Sequence, residues 1–518
     1  MATHNLLLER PSGAPAPKRQ SLYAPRKKIY PKRASGRFRQ FKWLVMLITL
    51  TIYYVTPWIR WDRGPGAPDQ AVLVDLANRR FFFFFIEIWP QEFYYVAGML
   101  VMAGIGLFLV TSTVGRAWCG YACPQTVWVD LFLVVERAIE GDRTARMRLE
   151  AAPWTFDKIW KRVVKHGTWL AIGVATGGAW IYYFADAPTL LHQVVTLQAP
   201  VIAYGTIALL TATTYVFGGL MREQVCTYMC PWPRIQGAML DENSLTVTYN
   251  DWRGEPRSRH AKKAQAEGKA VGDCVDCDAC VAVCPMGIDI RNGQQLECIT
   301  CALCIDACDD IMTKLGKETG LISYVTLADY NKNMALAMGG GPAVDPANVR
   351  DSVTGRLVDR IQHTNWRSIV RPRTVVYFLG WAAIGLAMLT ALSLRTTLSV
   401  SVLHDRNPLY VVLKDGGIRN GFDLKITNMA PRSRNVTVRV EGLPDAGIYG
   451  TEGVGGLAQS IALTLDADKV ADLRFYVELP AEKLPTTVPA PLDIVVVDDE
   501  GQASARAQTV FQAPEASK

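Results

Sequence analysis

The sequence predicts a multi-domain membrane protein that joins an α-helical transmembrane bundle, a small cysteine-rich α+β domain and a C-terminal all-β sandwich. Half of the 518 residues are hydrophobic, which is a high share for a soluble chain of this length. Eight of the twelve cysteines fall in two closely spaced runs. From residue 396 onward, apolar and polar residues alternate in short stretches separated by Gly and Pro, as in antiparallel strands.

Five stretches are predicted to be transmembrane helices, since each approaches the roughly 20 mostly apolar residues that cross a bilayer. They are residues 41–58, 93–113, 167–184, 200–220 and 375–394. The aromatic run 81–85 is not counted, because Arg79, Arg80 and Glu87 bracket it closely, and we interpret it as an interfacial piece. Five spans place the two termini on opposite sides of the membrane.

Positive charge predicts the orientation. The 40 residues before the first span hold ten Lys and Arg and no signal-peptide cleavage pattern, so they are expected to stay in the cytoplasm. The short loop 186–199 has no Lys or Arg, as expected of an outer loop. The N-terminus and the cysteine-rich segment are therefore predicted to be cytoplasmic, and the C-terminal sandwich periplasmic, at the inner membrane of a bacterium.

Two cysteine runs have the spacing of bacterial ferredoxins that carry two clusters. They read Cys274-Val-Asp-Cys277-Asp-Ala-Cys280-Val-Ala-Val-Cys284-Pro285 and Cys298-Ile-Thr-Cys301-Ala-Leu-Cys304-Ile-Asp-Ala-Cys308. In that spacing three close cysteines hold one 4Fe-4S cluster, and the fourth cysteine of each run crosses to the other cluster. The predicted ligand sets are Cys274, Cys277, Cys280 and Cys308 for the first cluster, and Cys298, Cys301, Cys304 and Cys284 for the second.

Zinc is the alternative occupant, because C-x-x-C pairs also occur in zinc ribbons. A zinc site takes four ligands, which zinc ribbons supply as separate C-x-x-C pairs. Such a pair would leave the third and fourth cysteine of each run unexplained. The spacing therefore favours iron-sulfur clusters over zinc.

The remaining four cysteines form two pairs at the ends of the second and fourth predicted spans. The pairs read Cys119-Gly-Tyr-Ala-Cys123-Pro and Cys226-Thr-Tyr-Met-Cys230-Pro. Residues four apart share a helix face, so each pair can present two sulfurs to one ion, and the duplication predicts both pairs at the same membrane edge. Four thiolates suit Cu(I), a further iron-sulfur centre or dithiol redox chemistry, while simple packing is the alternative. We take these four cysteines as candidate catalytic residues and candidate copper ligands.

The last domain is predicted to be an immunoglobulin-like sandwich. Alternating stretches lie at 409–413, 422–427, 436–440, 473–477 and 492–497. The chain has no cysteine after Cys308, so this domain has no disulfide, and its one histidine, His404, excludes a blue-copper site. We expect the domain to dock a partner.

These predictions give five domains along the chain. They are a basic disordered cytoplasmic tail (1–40), a four-helix membrane region with both C-x-x-x-C-P motifs (41–235), a cytoplasmic ferredoxin-like domain with two clusters (236–373), a fifth transmembrane helix (374–395) and a periplasmic immunoglobulin-like sandwich (396–518).

Other functional classes find little support. The net charge of +7 comes from Lys and Arg that flank spans, so no nucleic acid is expected as a partner. His166 and His192 lie at opposite ends of the third predicted span and cannot share a haem. The sequence has neither a G-x-G-x-x-G motif after a strand pattern nor a P-loop, which leaves another protein or a quinol as the source of electrons.

The combined motifs resemble the FixG/CcoG/RdxA family of cytochrome c oxidase accessory proteins over roughly residues 35 to 515. The resemblance rests on the two C-x-x-x-C-P pairs, the eight-cysteine segment ending in Cys308-Asp309, and Ile418-Arg-Asn-Gly-Phe-Asp-Leu-Lys-Ile-Thr-Asn428. It implies reduction of Cu(II) to Cu(I) during maturation of a cbb(3)-type oxidase, with copper as a further metal and oxidase assembly factors or copper chaperones as partners.

Two other functions stay open at this point. The chain could be a membrane ferredoxin that relays electrons from quinol or a soluble donor to another reductase, or an assembly scaffold whose clusters are structural. The sequence also leaves open the electron donor, the partner of the last domain and the oligomeric state, a homodimer included.

Overall fold

A computed structural model describes residues 28–64, 67–337, 369–430, 432–450, 458–485, 487–499, 501 and 504–514. The chain divides into two compact units, each assembled from three segments. The first unit consists of Met1–Leu47, Val110–Ala171 and Thr214–Ile369, and the second of Ile48–Leu109, Ile172–Thr213 and Val370–Lys518. Each unit therefore joins parts of the sequence that lie far apart along the chain.

Fifteen α-helices occur in the described residues, together with two π-helical stretches, Thr214–Met221 and Val225–Met229. The α-helices are α1 (Arg37–Val55), α2 (Tyr94–Val114), α3 (Ala117–Tyr121), α4 (Pro124–Glu140), α5 (Arg143–Ala151), α6 (Phe156–Ile181), α7 (Ala187–Val195), α8 (Val201–Thr213), α9 (Trp232–Met239), α10 (Asp251–Gly254), α11 (Ala261–Ala266), α12 (Ala279–Val283), α13 (Leu303–Lys314), α14 (Leu327–Ala337) and α15 (Pro372–Ser393).

The same residues contain fourteen strands. They are β1 (Val72–Asp75), β2 (Arg80–Phe83), β3 (Ile86–Ile88), β4 (Leu245–Tyr249), β5 (Ile322–Thr326), β6 (Leu398–His404), β7 (Val411–Val412), β8 (Ile418–Asn428), β9 (Arg434–Glu441), β10 (Gly447–Gly450), β11 (Ser460–Leu465), β12 (Val470–Leu479), β13 (Ala490–Asp498) and β14 (Ser504–Phe511).

Three helical stretches are long and apolar enough to cross a membrane: Pro90–Val114, Val201–Met221 and Pro372–Ser393. In their most apolar windows 6%, 11% and 0% of the residues are buried against protein, so most of these apolar residues keep exposed surface. Apolar helices without protein cover suit a lipid environment, and they indicate a membrane protein. The orientation and the periplasmic position of the last domain stay predictions.

The prediction of five spans is wrong by this measure, because the described residues contain three such helices. Helix α1 covers much of the expected span 41–58, but its first turns carry Arg39 and Lys42, both buried against protein. Helix α6 contains the expected span 167–184 in part and carries the buried Lys158 and Lys165. Both helices thus hold charged side chains, and these need polar partners. The charged side chains also lower the mean hydropathy of each helix.

The aromatic run 81–85 lies in and just after strand β2 and is not a span. Strands β1, β2 and β3 form a three-stranded antiparallel sheet in which Val74 lies opposite Phe81 and Phe81 opposite Ile88. Successive phenylalanines of β2 therefore face opposite sides of the sheet, and Phe82 is 1% exposed.

The predicted disordered tail is partly corrected. Residues 1–27 lie outside the described residues, but those that follow pack on the cysteine-rich segment. The Lys32 amide donates to the Ala282 carbonyl at 2.7 Å, and Ala34 is buried with Val283 and Ile299. Helix α1 then begins at Arg37, so residues 32–40 belong to the folded unit.

The two cysteine runs of the first unit lie between β4 and β5, which pair antiparallel with Leu245 opposite Thr326. In each run, the residues directly before and after the second cysteine have left-handed backbone conformation. These are Asp276 and Asp278 around Cys277, and Thr300 and Ala302 around Cys301. The second left-handed residue of each run directly precedes a helix, α12 in the first run and α13 in the second. The two runs therefore share one backbone conformation, as a duplicated motif would.

The C-terminal part of the second unit is an antiparallel sandwich. One sheet has the order β10-β12-β8-β6 with β7 also on β8, and the other has the order β11-β9-β13-β14. Residues of both sheets share one core, in which Phe422 stacks on Phe475 with ring centroids 5.7 Å apart. The predicted stretches fall in β8, β9, β12 and β13, whereas 409–413 yields only the two-residue strand β7.

Candidate functional site

Four cysteines surround one cavity of the first unit. They are Cys274, Cys277, Cys280 and Cys308, and no other cysteine lines this cavity. Met312, Leu321 and Ile322 form much of its apolar wall. The last cysteine of the second run thus joins the first three cysteines of the first run.

A second cavity is surrounded by the complementary set. Cys298, Cys301 and Cys304 line it together with Cys284, and Cys280 also reaches its wall. Since Cys280 lines both cavities, the two lie next to each other. This is the crosswise grouping that the ferredoxin spacing predicts.

The chemistry of these cavities fits 4Fe-4S clusters. A left-handed backbone conformation costs a residue other than glycine about 1 kcal/mol of conformational free energy. Two such residues around the second cysteine of each run therefore indicate that the backbone is shaped to wrap around the cavity. Burial raises the pKa of Cys284 and Cys308 to about 12, and that of Cys280 and Cys298 to about 11. Thiolates in such surroundings need compensating positive charge, which ligated iron supplies.

The two edge pairs come together in the structure. Cys119 lies in α3, and Cys123 directly precedes α4. Cys226 lies in the π-helical stretch Val225–Met229, and Cys230 directly follows it. Burial first, then the charges of the other three cysteines, raise the pKa of Cys119 to about 12. The four thiols therefore lie in one region of the first unit, although the described residues contain no group of three or more Cys, His, Asp or Glu side chains placed to hold a metal ion.

Sequence reasoning missed Gln236, which holds one of these thiols. The Cys119 Sγ donates to Gln236 Oε1 at 3.0 Å, and Gln236 is 1% exposed. Its Nε2 has no hydrogen-bond partner within the described part of the chain. The only signal in the sequence was a polar residue six positions after Cys230, a pattern too common to single it out.

The first edge pair packs directly on the second cysteine run. Tyr121 donates its hydroxyl to the Cys301 carbonyl at 3.1 Å, and Cys119 shares an apolar cluster with Ile299 and Cys301. A Cβ on Gly120 would lie 2.6 Å from the Ile299 carbonyl oxygen and 3.0 Å from the Cys301 Cα. Glycine at this position thus permits the close approach of the two motifs.

Replacing Gly120 by alanine is expected to destabilise the protein. The new methyl group meets backbone, and overpacking of this kind costs about 1–3 kcal/mol. Gly167→Ala is the matched control, because Gly167 is also helical and a Cβ there meets nothing within 4 Å. There we expect a neutral or stabilising change. Thermal unfolding of both variants in detergent checks this, and equal melting temperatures would show that the 299–301 backbone yields.

Three family models match the chain. Residues 221–327 match a 4Fe-4S dicluster domain, residues 388–514 the IG-like fold at the C-terminal of FixG, and residues 96–140 a 4Fe-4S binding domain. The ferredoxin-type and immunoglobulin-like predictions are thereby confirmed. The third match includes the first edge pair, Cys119 and Cys123.

Curated relatives cover most of the chain. The nitrogen fixation protein FixG of Rhizobium meliloti (strain 1021) is 68% identical over 463 residues, which are 89% of this chain and 88% of that protein. Protein RdxA of Cereibacter sphaeroides is 51% identical over 469 residues, 90% of this chain and 92% of that one. Protein RdxB of the same organism is 53% identical over 427 residues, 82% of this chain and 84% of that one.

Proposed function

The chain belongs to the FixG family, and from that premise we propose that it reduces Cu(II) to Cu(I) during maturation of a cbb(3)-type cytochrome c oxidase. It is an iron-sulfur electron-transfer protein with two 4Fe-4S clusters. The observation that carries the proposal is the packing of Cys119 on Ile299 and Cys301, which brings the edge thiols against the second cysteine run. Copper is the substrate of this reaction and not a resident cofactor.

We assign the cluster ligands by the two cavities. The first cluster takes the sulfurs of Cys274, Cys277, Cys280 and Cys308, and the second those of Cys298, Cys301, Cys304 and Cys284. When bound, the clusters supply electrons one at a time. Tyr121, by donating to the Cys301 carbonyl, fixes the edge pair against the loop that holds the second cluster.

The edge thiols suit the product of the reduction better than its substrate. Cu(II) prefers nitrogen and oxygen ligands, whereas Cu(I) prefers thiolate sulfur. Burial raises the pKa of Cys119 and of Cys226 to about 12, so the free thiols hold their protons and release them when a metal ion binds. One electron then converts one Cu(II) to one Cu(I), which the thiolates retain.

A third 4Fe-4S centre is the second candidate for the edge thiols. The match of residues 96–140 to a 4Fe-4S binding domain favours it. Four thiolates would complete its ligand set, and the unpaired Nε2 of Gln236 could donate to a cluster sulfur. The chain would then be a membrane relay that passes electrons to another reductase.

The double variant Cys119→Ala/Cys226→Ala tests the proposal. The protein is purified without oxygen, reduced with dithionite and freed of excess reductant. Cu(II) is then added while cluster absorbance and a Cu(I)-specific chelator are followed. We expect the unmodified protein to contain about eight iron atoms and to be reoxidised with one Cu(I) formed per electron. The double variant should keep its iron and lose this reaction.

Tyr228→Phe is the matched control, because Tyr228 lies between Cys226 and Cys230 with its side chain exposed. It should react as the unmodified protein does. A double variant that still reduces copper at the original rate would contradict the proposal. About twelve iron atoms in the unmodified protein and about eight in the double variant would establish the third cluster instead.

A further inference from the structure

A cavity of about 350 Å³ lies beside Cys298 in the first unit. It is separate from the two cavities assigned to the clusters. Its volume is within the range of small-molecule sites. Its polar lining consists of Arg116, Arg234, Thr246, Gln294, Gln295 and Thr300. Arg234 and Gln294 are exposed, so the cavity opens to the surface.

The charge of this cavity is one-sided. Two arginines and no Asp or Glu line it. Arg116 is 5% exposed, and its Nε has no hydrogen-bond partner, although its Nη1 donates to the Leu296 and Cys298 carbonyls. Arg116 forms no ion pair among the described residues; Cys298, Cys119 and Glu297 are the nearby acidic groups that favour its charged form, and a buried cation without a paired carboxylate is costly. An anionic ligand would offset that cost.

The position of the cavity gives such a ligand a redox role. Cys298 forms part of the wall, and the proposed assignment makes Cys298 a ligand of the second cluster. The first cluster cavity adjoins the second through Cys280. Two adjacent one-electron centres can together accept both electrons of an organic hydroquinone.

We propose that this cavity binds the electron donor, a small anionic organic molecule that delivers two electrons, of the class of a phosphorylated flavin hydroquinone. Arg116 and Arg234 hold the acidic group, and the ring lies toward Cys298. The donor loses two electrons and two protons. One electron goes to each cluster, and the protons go to water. The inference rests on the proposed function, because it names the donor for the same clusters.

Reduced flavin mononucleotide and reduced riboflavin test this inference, since the two differ only in the phosphate. Each is mixed without oxygen with the full-length oxidised protein, and cluster absorbance is followed by stopped flow. We expect half-saturation at about tenfold lower concentration with the phosphorylated flavin, as one charge-assisted phosphate–arginine contact supplies. Inorganic phosphate should compete with it. A titration should end at one flavin per chain.

Arg234→Ala is the test variant, because the exposed Arg234 side chain forms no ion pair with the residues that the structure describes. It should raise the half-saturating concentration of the phosphorylated flavin about tenfold and leave that of riboflavin unchanged. Arg148→Ala, an exposed arginine of α5, is the matched control and should change neither.

Equal kinetics with the two flavins would overturn the inference. So would faster reduction by the neutral quinol decylubiquinol than by the phosphorylated flavin. Neither result touches the proposed function, because copper reduction is measured on protein that dithionite has already reduced. Conversely, the protein could fail to reduce copper and still react at lower concentration with the phosphorylated flavin than with riboflavin. That result would contradict the proposed function and support the donor site.

Discussion

Replacing Cys284 together with Cys301 by serine is expected to leave one 4Fe-4S cluster, whereas replacing Cys284 together with Cys277 is expected to leave none. The reason is that Cys284 and Cys301 line the same cavity, although they belong to different runs. Cys277 lines the other cavity. Iron analysis of anaerobically purified protein should therefore give about four atoms for the first pair and about zero for the second.

Electron paramagnetic resonance provides an independent check. With both clusters reduced, two nearby spins interact and broaden the spectrum, while a single remaining cluster gives a simple signal. The single variant Cys119→Ser is the control, because Cys119 lines neither cluster cavity and should leave the iron content unchanged. If each run held its own cluster, the two double variants would exchange their outcomes, and the crosswise assignment would be wrong.

Replacing Glu136 by alanine is expected to destabilise the first unit by about 3–5 kcal/mol, the usual effect of breaking a buried ion pair. Glu136 accepts hydrogen bonds from Arg146 and from Arg222, the latter at 2.5 Å, and its carboxylate lies 3.8 Å from Lys165. Its side chain is 4% exposed. Without it, Arg222 has no ion-pair partner among the described residues, and Glu140 alone remains to pair with Arg146 and Lys165.

Thermal unfolding in detergent measures this effect. Asp157→Ala is the matched control, since Asp157 forms an exposed pair with Lys161 one helical turn away. Exposed pairs of this kind contribute about 0.3–0.5 kcal/mol, so the control should melt near the unmodified protein. A Glu136→Ala variant as stable as the control would contradict this prediction and show that Glu140 or water compensates these cations.

The same carboxylate predicts a dependence on pH. Burial opposes ionisation of Glu136, but Arg222 and Arg146 outweigh it and hold its pKa below the ordinary value of 4.5. A group whose pKa is lower in the folded state stabilises the fold above its unfolded pKa. Its contribution is therefore complete at neutral pH, and it is lost as the pH falls through the folded pKa. Glu136→Ala should remove this part of the acid sensitivity.

The Glu136 ion pairs also bear on the edge site. Arg222, which Glu136 holds, precedes Cys226 by four residues and has a left-handed backbone with φ of 43°. Its Nε donates to the Gly219 carbonyl at 2.8 Å, and Gln125 Nε2 donates to the Phe217 carbonyl at 2.8 Å. These contacts fix the π-helical end of the span and, with it, the position of the second edge pair.

Features that depend on local spacing could be predicted from the amino-acid sequence. Cluster ligands repeat at fixed intervals, so the spacing predicts a two-cluster domain with Cys274 to Cys308 as its ligands, and strand alternation in a disulfide-free domain indicated the sandwich around Phe422. In both patterns the residues lie within a few positions of each other, so one local backbone conformation sets their relative placement. The same spacing predicts the crosswise grouping of the ligands.

Features that depend on residues far apart in the chain became visible only in the folded protein. Gln236 reaches Cys119 across 117 positions, and Tyr121 reaches Cys301 across 180, so no local pattern indicates either contact. The charges of α1 and α6 are buried against protein, as the pair of Arg39 with Asp130 shows, and a reading of local apolarity mistook these helices for spans. Arg116 became a candidate ligand-binding residue only because folding buries it without a carboxylate partner beside a cavity. Local order follows from short-range spacing, whereas burial and charge pairing are fixed by which distant segments meet.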